Sequence, residues 1–232
     1  MMVFNGFSKK AIIFLQDLEQ NNTKLWFENN RYIWEEEIKN INENFVQDMG
    51  ETLQILDPSI NFHPKVGKSL FKIYRDVRFS KDKTPMKSKI GIIFYKGDTH
   101  RMQSSSFYMH YTKDTYFIAT GIRNFKPDLL KQYRLYLKNE LKRIELYNIL
   151  EILKEKGYSL PPKKFKKIPK VLSEYKDDIH IELSLYGAMF SFIEKNINDD
   201  FYCINILDNS FKIYQDMYDL YEWVYNMTQN KI

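Results

Sequence analysis

Between Ser69 and Arg123 helical spacing disappears from the chain, and short runs rich in Ile, Phe and Tyr follow one another, broken by the turn pairs Gly97-Asp98 and Lys113-Asp114. Runs of this length and composition, bounded by turn residues, are strands. Four are predicted, at about Ser69–Tyr74, Lys89–Lys96, Ser105–Thr112 and Thr115–Ile122, the last two joined by a tight hairpin. Short links between sequential strands imply antiparallel pairing, because a parallel crossover needs roughly a dozen residues or more. A block of strands with helical sequence on both sides predicts an α+β fold, a mainly antiparallel sheet with long helices packed on it. The expectation is a single domain over residues 1–232, with only weak grounds for a boundary near Gly157.

The flanks supply the helices. Phe7, Ala11, Leu15 and Leu18 recur at helical spacing behind Ser8, an N-cap residue, which predicts a helix from about Ser8 to Gln20. Phe27, Trp34, Ile38, Ile41, Phe45, Met49, Leu53 and Leu56 form the stripe of a second, longer helix that ends before Pro58. Leu129, Leu130, Tyr133 and Leu137 predict a third, and Leu146, Ile149, Leu150 and Leu153 a fourth that stops at Gly157. Phe211, Tyr214, Tyr218, Tyr221 and Tyr225 predict the last. The stretch 179–206 fits strand or helix equally. With 17 Phe and 17 Tyr, rings should dominate the core, and buried phenols need partners.

A single cysteine, Cys203, rules out an internal disulfide and reads as a core residue. The apolar run Ala11 to Leu15 is followed at once by Asp17 and Glu19, too short for a signal core or a membrane span, so a cytoplasmic location with no membrane partner is expected.

Charge is concentrated in one place. From Lys72 to Lys89 there are seven basic residues, Lys72, Arg75, Arg78, Lys81, Lys83, Lys87 and Lys89, against Asp76 and Asp82. That leaves 28 basic and 28 acidic residues elsewhere, so the net charge of +5 belongs to this segment. A focused positive field attracts anions, and arginine forks suit carboxylate or phosphate. Arg75, Arg78, Lys83 and Lys87 are therefore the candidate ligand clamp, with Asp76 orienting an arginine or acting as base. Phe79 is expected to anchor the loop to the core. The same residues equally fit a loop that ties itself together through ion pairs with Asp76 and Asp82.

Strand alternation puts Tyr108, His110 and Thr112 on one face of the third strand, opposite Phe107, Met109 and Tyr111. His110 is a candidate acid or base if that face looks toward the basic loop. Tyr108 and Trp26 are candidate stacking residues. His63, His100 and His180 have no metal-ligand spacing, and no metal site is expected. Phosphate-binding glycine loops, dinucleotide fingerprints and nucleophile elbows are absent from the sequence, which specifies no cofactor.

Asn21-Asn22 with Trp26-Phe27, the run Tyr74 to Pro85, Phe107 to His110, Phe117, Gly121-Ile122, and Leu130 with Arg134 together resemble the conserved hypothetical proteins called domain of unknown function 2461. The likeness is clearest over about residues 4–140, with a trace at Phe165 to Pro169 inside a block reaching about residue 190. Met86 stands where that family favours an aromatic, and Ala119-Thr120 where it is glycine-rich. The resemblance implies one intracellular unit and brings no activity, cofactor or catalytic residue. Three functions remain open: an anion-binding site in loop 72–89 with an anionic small-molecule partner and an enzymatic role, a structural or protein-interaction domain, and a nucleic-acid-binding module in which Lys163 to Lys170 assists.

Overall fold

A computed structural model describes residues 3–230. The helices are α1 (Lys9–Gln20), α2 (Lys24–Asn29), α3 (Arg31–Ile33), α4 (Asn40–Leu53), α5 (Pro127–Tyr136), α6 (Glu140–Glu155), α7 (Asn205–Asp216) and α8 (Tyr218–Gln229). The strands are β1 (Ile60–Asn61), β2 (Ile90–Lys96), β3 (Ser106–Tyr111), β4 (Thr115–Ile122) and β5 (Met189–Asn196). They form one sheet in the order β1-β2-β3-β4-β5. The fold is α+β with an antiparallel sheet, as the periodicity predicts. No helix among the described residues is long and apolar enough to cross a membrane.

Several elements depart from expectation for identifiable reasons. Ser69–Tyr74 is not a strand. Leu70 bridges Ile92 while Tyr74 bridges Met86, so the segment changes partner midway and never builds a continuous ladder. The long helix predicted from Phe27 is broken at Asn30, whose side chain turns back to donate to the Trp26 carbonyl (2.8 Å), and it resumes through a π-helical turn, Trp34–Lys39, before α4. Trp34 and Ile38, four residues apart on one face of this segment, are both buried. The last helix is two, parted at Met217. β5 falls in the stretch where sequence spacing was ambiguous. Cys203 is half-buried, outside the core.

The chain divides into two compact units: up to Phe94 with Tyr108–Ile118 and Glu194–Ile213, and Tyr95–Phe107, Ala119–Ile193 and from Tyr214 onward. The divisions fall within strands β2 to β5, and Gly157 lies inside the second unit. In the first unit, Ser8 caps α1 by accepting from the Lys10 amide (3.1 Å). Phe4, Phe7, Phe45, Tyr111 and Phe201 then pack ring on ring, neighbouring centroids 4.6–5.3 Å apart. Each such ring, fully buried, stabilises the fold by about 2–3 kcal/mol. The Tyr111 phenol is not wasted: fully buried Asn42 donates to it at 2.8 Å and to the Ile38 carbonyl at 2.7 Å.

In the second unit Phe107 stacks on Tyr221 (4.3 Å, 9°) and leans on Tyr214. Trp223 donates its indole N–H to the Lys142 carbonyl (3.1 Å). Gly121 adopts φ +123, and the chain of β5 crosses so close that an added Cβ would stand 2.2 Å from the Met189 carbonyl oxygen. Backbone approach to this glycine thus comes from the sheet itself.

Candidate functional site

The basic segment folds as a self-supporting hairpin. At its base the Lys87 amide donates to the Ile73 carbonyl and the Arg75 amide to the Pro85 carbonyl, both at 2.8 Å. Asn22 then acts as a third strand in miniature, donating its amide to the Met86 carbonyl and accepting the Met86 N–H, each at 3.0 Å. Met86 is thereby buried where an aromatic was expected. Tyr74 donates to Glu28 (3.1 Å) and packs edge-on against Phe27. These contacts explain the Asn22 to Phe27 motif as the seat of the hairpin.

Beyond the base, each cation proposed for the clamp finds a partner within the loop. Arg75 bonds Asp82 and Thr84. Arg78 forks onto Asp76 through Nε (2.9 Å) and Nη2 (2.7 Å). Lys83 donates to the Val77 carbonyl (2.9 Å). Phe79 is 95% exposed, so it does not anchor the loop: Asn22 and Tyr74 already do so at the base, and the ion pairs hold the tip. The hydrogen bonds from Arg78 lower the Asp76 carboxyl to about 2, so it is ionised and engaged at neutral pH, and it orients an arginine instead of taking protons. Arg75 similarly holds Asp82 below the usual carboxylate range.

A stability effect follows from Asp76. Because its folded pKa is depressed, its contribution is complete above an unfolded value of about 3.9 and is lost as pH falls toward 2. Asp76→Asn should therefore lower Tm slightly at pH 7, and the deficit should shrink steadily as pH falls from about 4 toward 2. Thermal melts between those limits check it.

The remaining sequence-chosen residues gather on the sheet. The turn closed by the Thr112 amide on the Thr115 carbonyl (2.8 Å) sets His110 opposite Phe117, and the two rings stack at 4.8 Å. Tyr108 lies 5.5 Å from His110 and 6.4 Å from Phe117, and Phe71 lies 6.1 Å beyond Tyr108. The Lys87 ammonium sits 5.9 Å from the Phe71 centroid and donates to the Lys72 carbonyl (2.6 Å). All four rings are half-buried, whereas Met109, Tyr111, Tyr116 and Ile118, pointing the other way, are buried. The result is a partly exposed aromatic row with a cation at one end and an imidazole at the other.

Of the residues chosen from sequence, Lys87, Tyr108 and His110 are thus linked, through Phe71, along one face. Arg75, Asp76, Arg78 and Lys83 form the hairpin tip. Trp26 lines a separate shallow cleft of about 120 Å³ with Phe14, Ile13 and Lys10. Phe71 and Phe117 complete the row beyond the residues that charge and alternation single out. Hairpin register places Phe117 beside His110, a signal present in the sequence, while Phe71 lay hidden in the mispredicted first strand. Among the described residues no group of three or more His, Cys, Asp or Glu is placed to hold a metal.

No curated protein matches the chain. The profile of a conserved hypothetical protein family, DUF2461, matches residues 10–223. That match takes in the hairpin, its Asn22 seat and the aromatic row, and the chain belongs to this family.

Proposed function

We propose that the protein binds an anionic small molecule on the aromatic row of the first unit, with Lys87 holding a phosphate or carboxylate and Phe71 and Tyr108 supporting a planar ring. The observation that carries this reading is the chain Lys87, Phe71, Tyr108, His110, Phe117, in which adjacent groups lie 4.8–6.1 Å apart on a half-exposed face. Rings stack on such a surface at little entropic cost, and an ammonium at its edge favours negative charge. His110 carries the imidazole of this face, the side-chain type used for general acid–base transfer, and it is the residue on which an enzymatic role would rest. The lone thiol, Cys203, fits a reducing, cytoplasmic setting.

A second reading draws on the ion pairs of the hairpin tip: the whole segment is structural, the protein is a scaffold or interaction domain, and no anion raises its stability. Thermal shift with AMP, pyrophosphate and benzoate separates the two readings, since a ligand at a hundredfold its Kd raises stability by about 2.7 kcal/mol. AMP should raise Tm in wild type, with affinity reduced about tenfold or more in Lys87→Ala and little changed in Arg78→Ala. Equal loss in both variants would return the site to the loop tip. Shifts with single-stranded DNA alone, steeply weakened by salt, would favour nucleic acid instead.

A further inference from the structure

In the second unit the cations nearest the 3-10 turns and α6 are held by carboxylates. Lys163 bonds Glu182, Arg143 bonds Asp178, and Lys138 lies 3.4 Å from Glu174. Arg134 on α5 is the contrast. It is half-buried, it makes no hydrogen bond or ion pair among the described residues, and its Nε is buried without a partner. The guanidinium lies 4.5 Å from the centroid of Phe165, and the Lys164 ammonium lies 5.8 Å from the same ring.

Phe165 and Lys164 are held in position by the chain. The amides of Lys164 and Phe165 donate to one acceptor, the Leu185 carbonyl, at 3.0 Å each. The stem of Lys164 crosses Gly187 so closely that an added Cβ there would stand 2.3 Å from its Cδ. Desolvation lowers the Arg134 pKa from its ordinary value, although a guanidinium stays charged throughout the physiological range. A charge partly withdrawn from water with no opposite charge beside it is costly, and a pre-positioned fork is what carboxylate and phosphate recognition uses.

We infer that Arg134, Phe165 and Lys164 form an oxyanion-binding site, taking a carboxylate or phosphate group. It stands on observations independent of the aromatic row. Phe165 lies against the guanidinium, the terminal N–H groups of Arg134 supply the donors, and Lys164 adds a second positive charge. The lysine-rich stretch 163–170 is thereby divided in role: Lys163 ties the segment to Glu182, and Lys164 faces the ligand.

The test is the arginine Nε–H region of the 1H–15N spectrum, titrated with inorganic phosphate, pyrophosphate or acetate at ionic strength held constant with chloride. The Arg134 signal is assigned by its loss in Arg134→Lys, or, if that variant does not fold, by the change in Phe165→Leu, which removes the ring above it. Arg143, whose Nε donates to Asp178 at 3.0 Å, is the internal reference. The expected result is a saturable shift of Arg134 alone, with acetate and the phosphates separating the two ligand classes. Affinity should fall about tenfold in Lys164→Ala and also in Gly187→Ala, which displaces the Lys164 stem. An Arg134 signal that moves with none of the three, or only in parallel with Arg143, overturns the proposal.

Discussion

Gly121→Ala should abolish the folded state at temperatures where the wild-type chain is folded, seen as loss of the cooperative melt by circular dichroism and loss of soluble protein. Two costs combine. The backbone at φ +123 is one that L side chains rarely adopt, worth about 1–3 kcal/mol. In addition, the new methyl would stand 2.2 Å from the Met189 carbonyl oxygen and 2.8 Å from the Phe190 Cα. Neither atom can swing aside, because both belong to the backbone of β5. Relief requires parting β4 from β5, so the total should reach about 4 kcal/mol or more, a range reserved for disrupted cores and strands. Gly157 is the control. It also has positive φ, at +85, but nothing lies within 4 Å of its added Cβ, so Gly157→Ala should cost only about 1 kcal/mol.

Asp178→Ala should destabilise by about 3–5 kcal/mol, because it strands a buried guanidinium. The Arg143 side chain is 2% exposed, and besides Asp178 it has the carbonyls of Leu137 and Lys138 and the face of Tyr175. Those neutral partners cannot compensate the charge. Arg143→Met removes the charge together with its need for a partner and should cost less, and the double variant should cost less than the two losses added. Chemical denaturation of the four proteins measures this directly. Burial works against the Asp178 charge, but the bonds from Arg143 and the His180 amide outweigh it and leave its carboxyl below the ordinary value. This part of stability is therefore present above an unfolded pKa of about 3.9 and fades as pH falls below it.

Much of this architecture is legible in local spacing. Ser8 followed by Ala11, Leu15 and Leu18 suffices for α1, and the Lys113-Asp114 turn between alternating runs suffices for the β3–β4 hairpin, because capping and alternation act within a few residues. β5 was obscured because its inner end, Met189 to Ile193, is apolar while its outer end, Glu194 to Asn196, is exposed and charged. The break at Asn30 depends on one side chain choosing the Trp26 carbonyl over solvent, which spacing does not encode. At the candidate site, Tyr108 and His110 followed from alternation. The cations of the loop were conspicuous by charge, yet charge says nothing about partners. Asp76 and Asp82 sit close enough in sequence to pair with Arg78 and Arg75, and those pairs are what a count of charges leaves unread.

The chain has four histidines, so the imidazole C2–H region of a proton spectrum reports on His110 with few competitors, assigned by its loss in His110→Gln. Titration with AMP is the most direct test of the aromatic row as a binding site. The His110 signal should move saturably while those of His63, His100 and His180 stay in place, and Lys87→Ala should weaken the response. A His110 signal that does not move, or four signals that drift together, would contradict binding at the row.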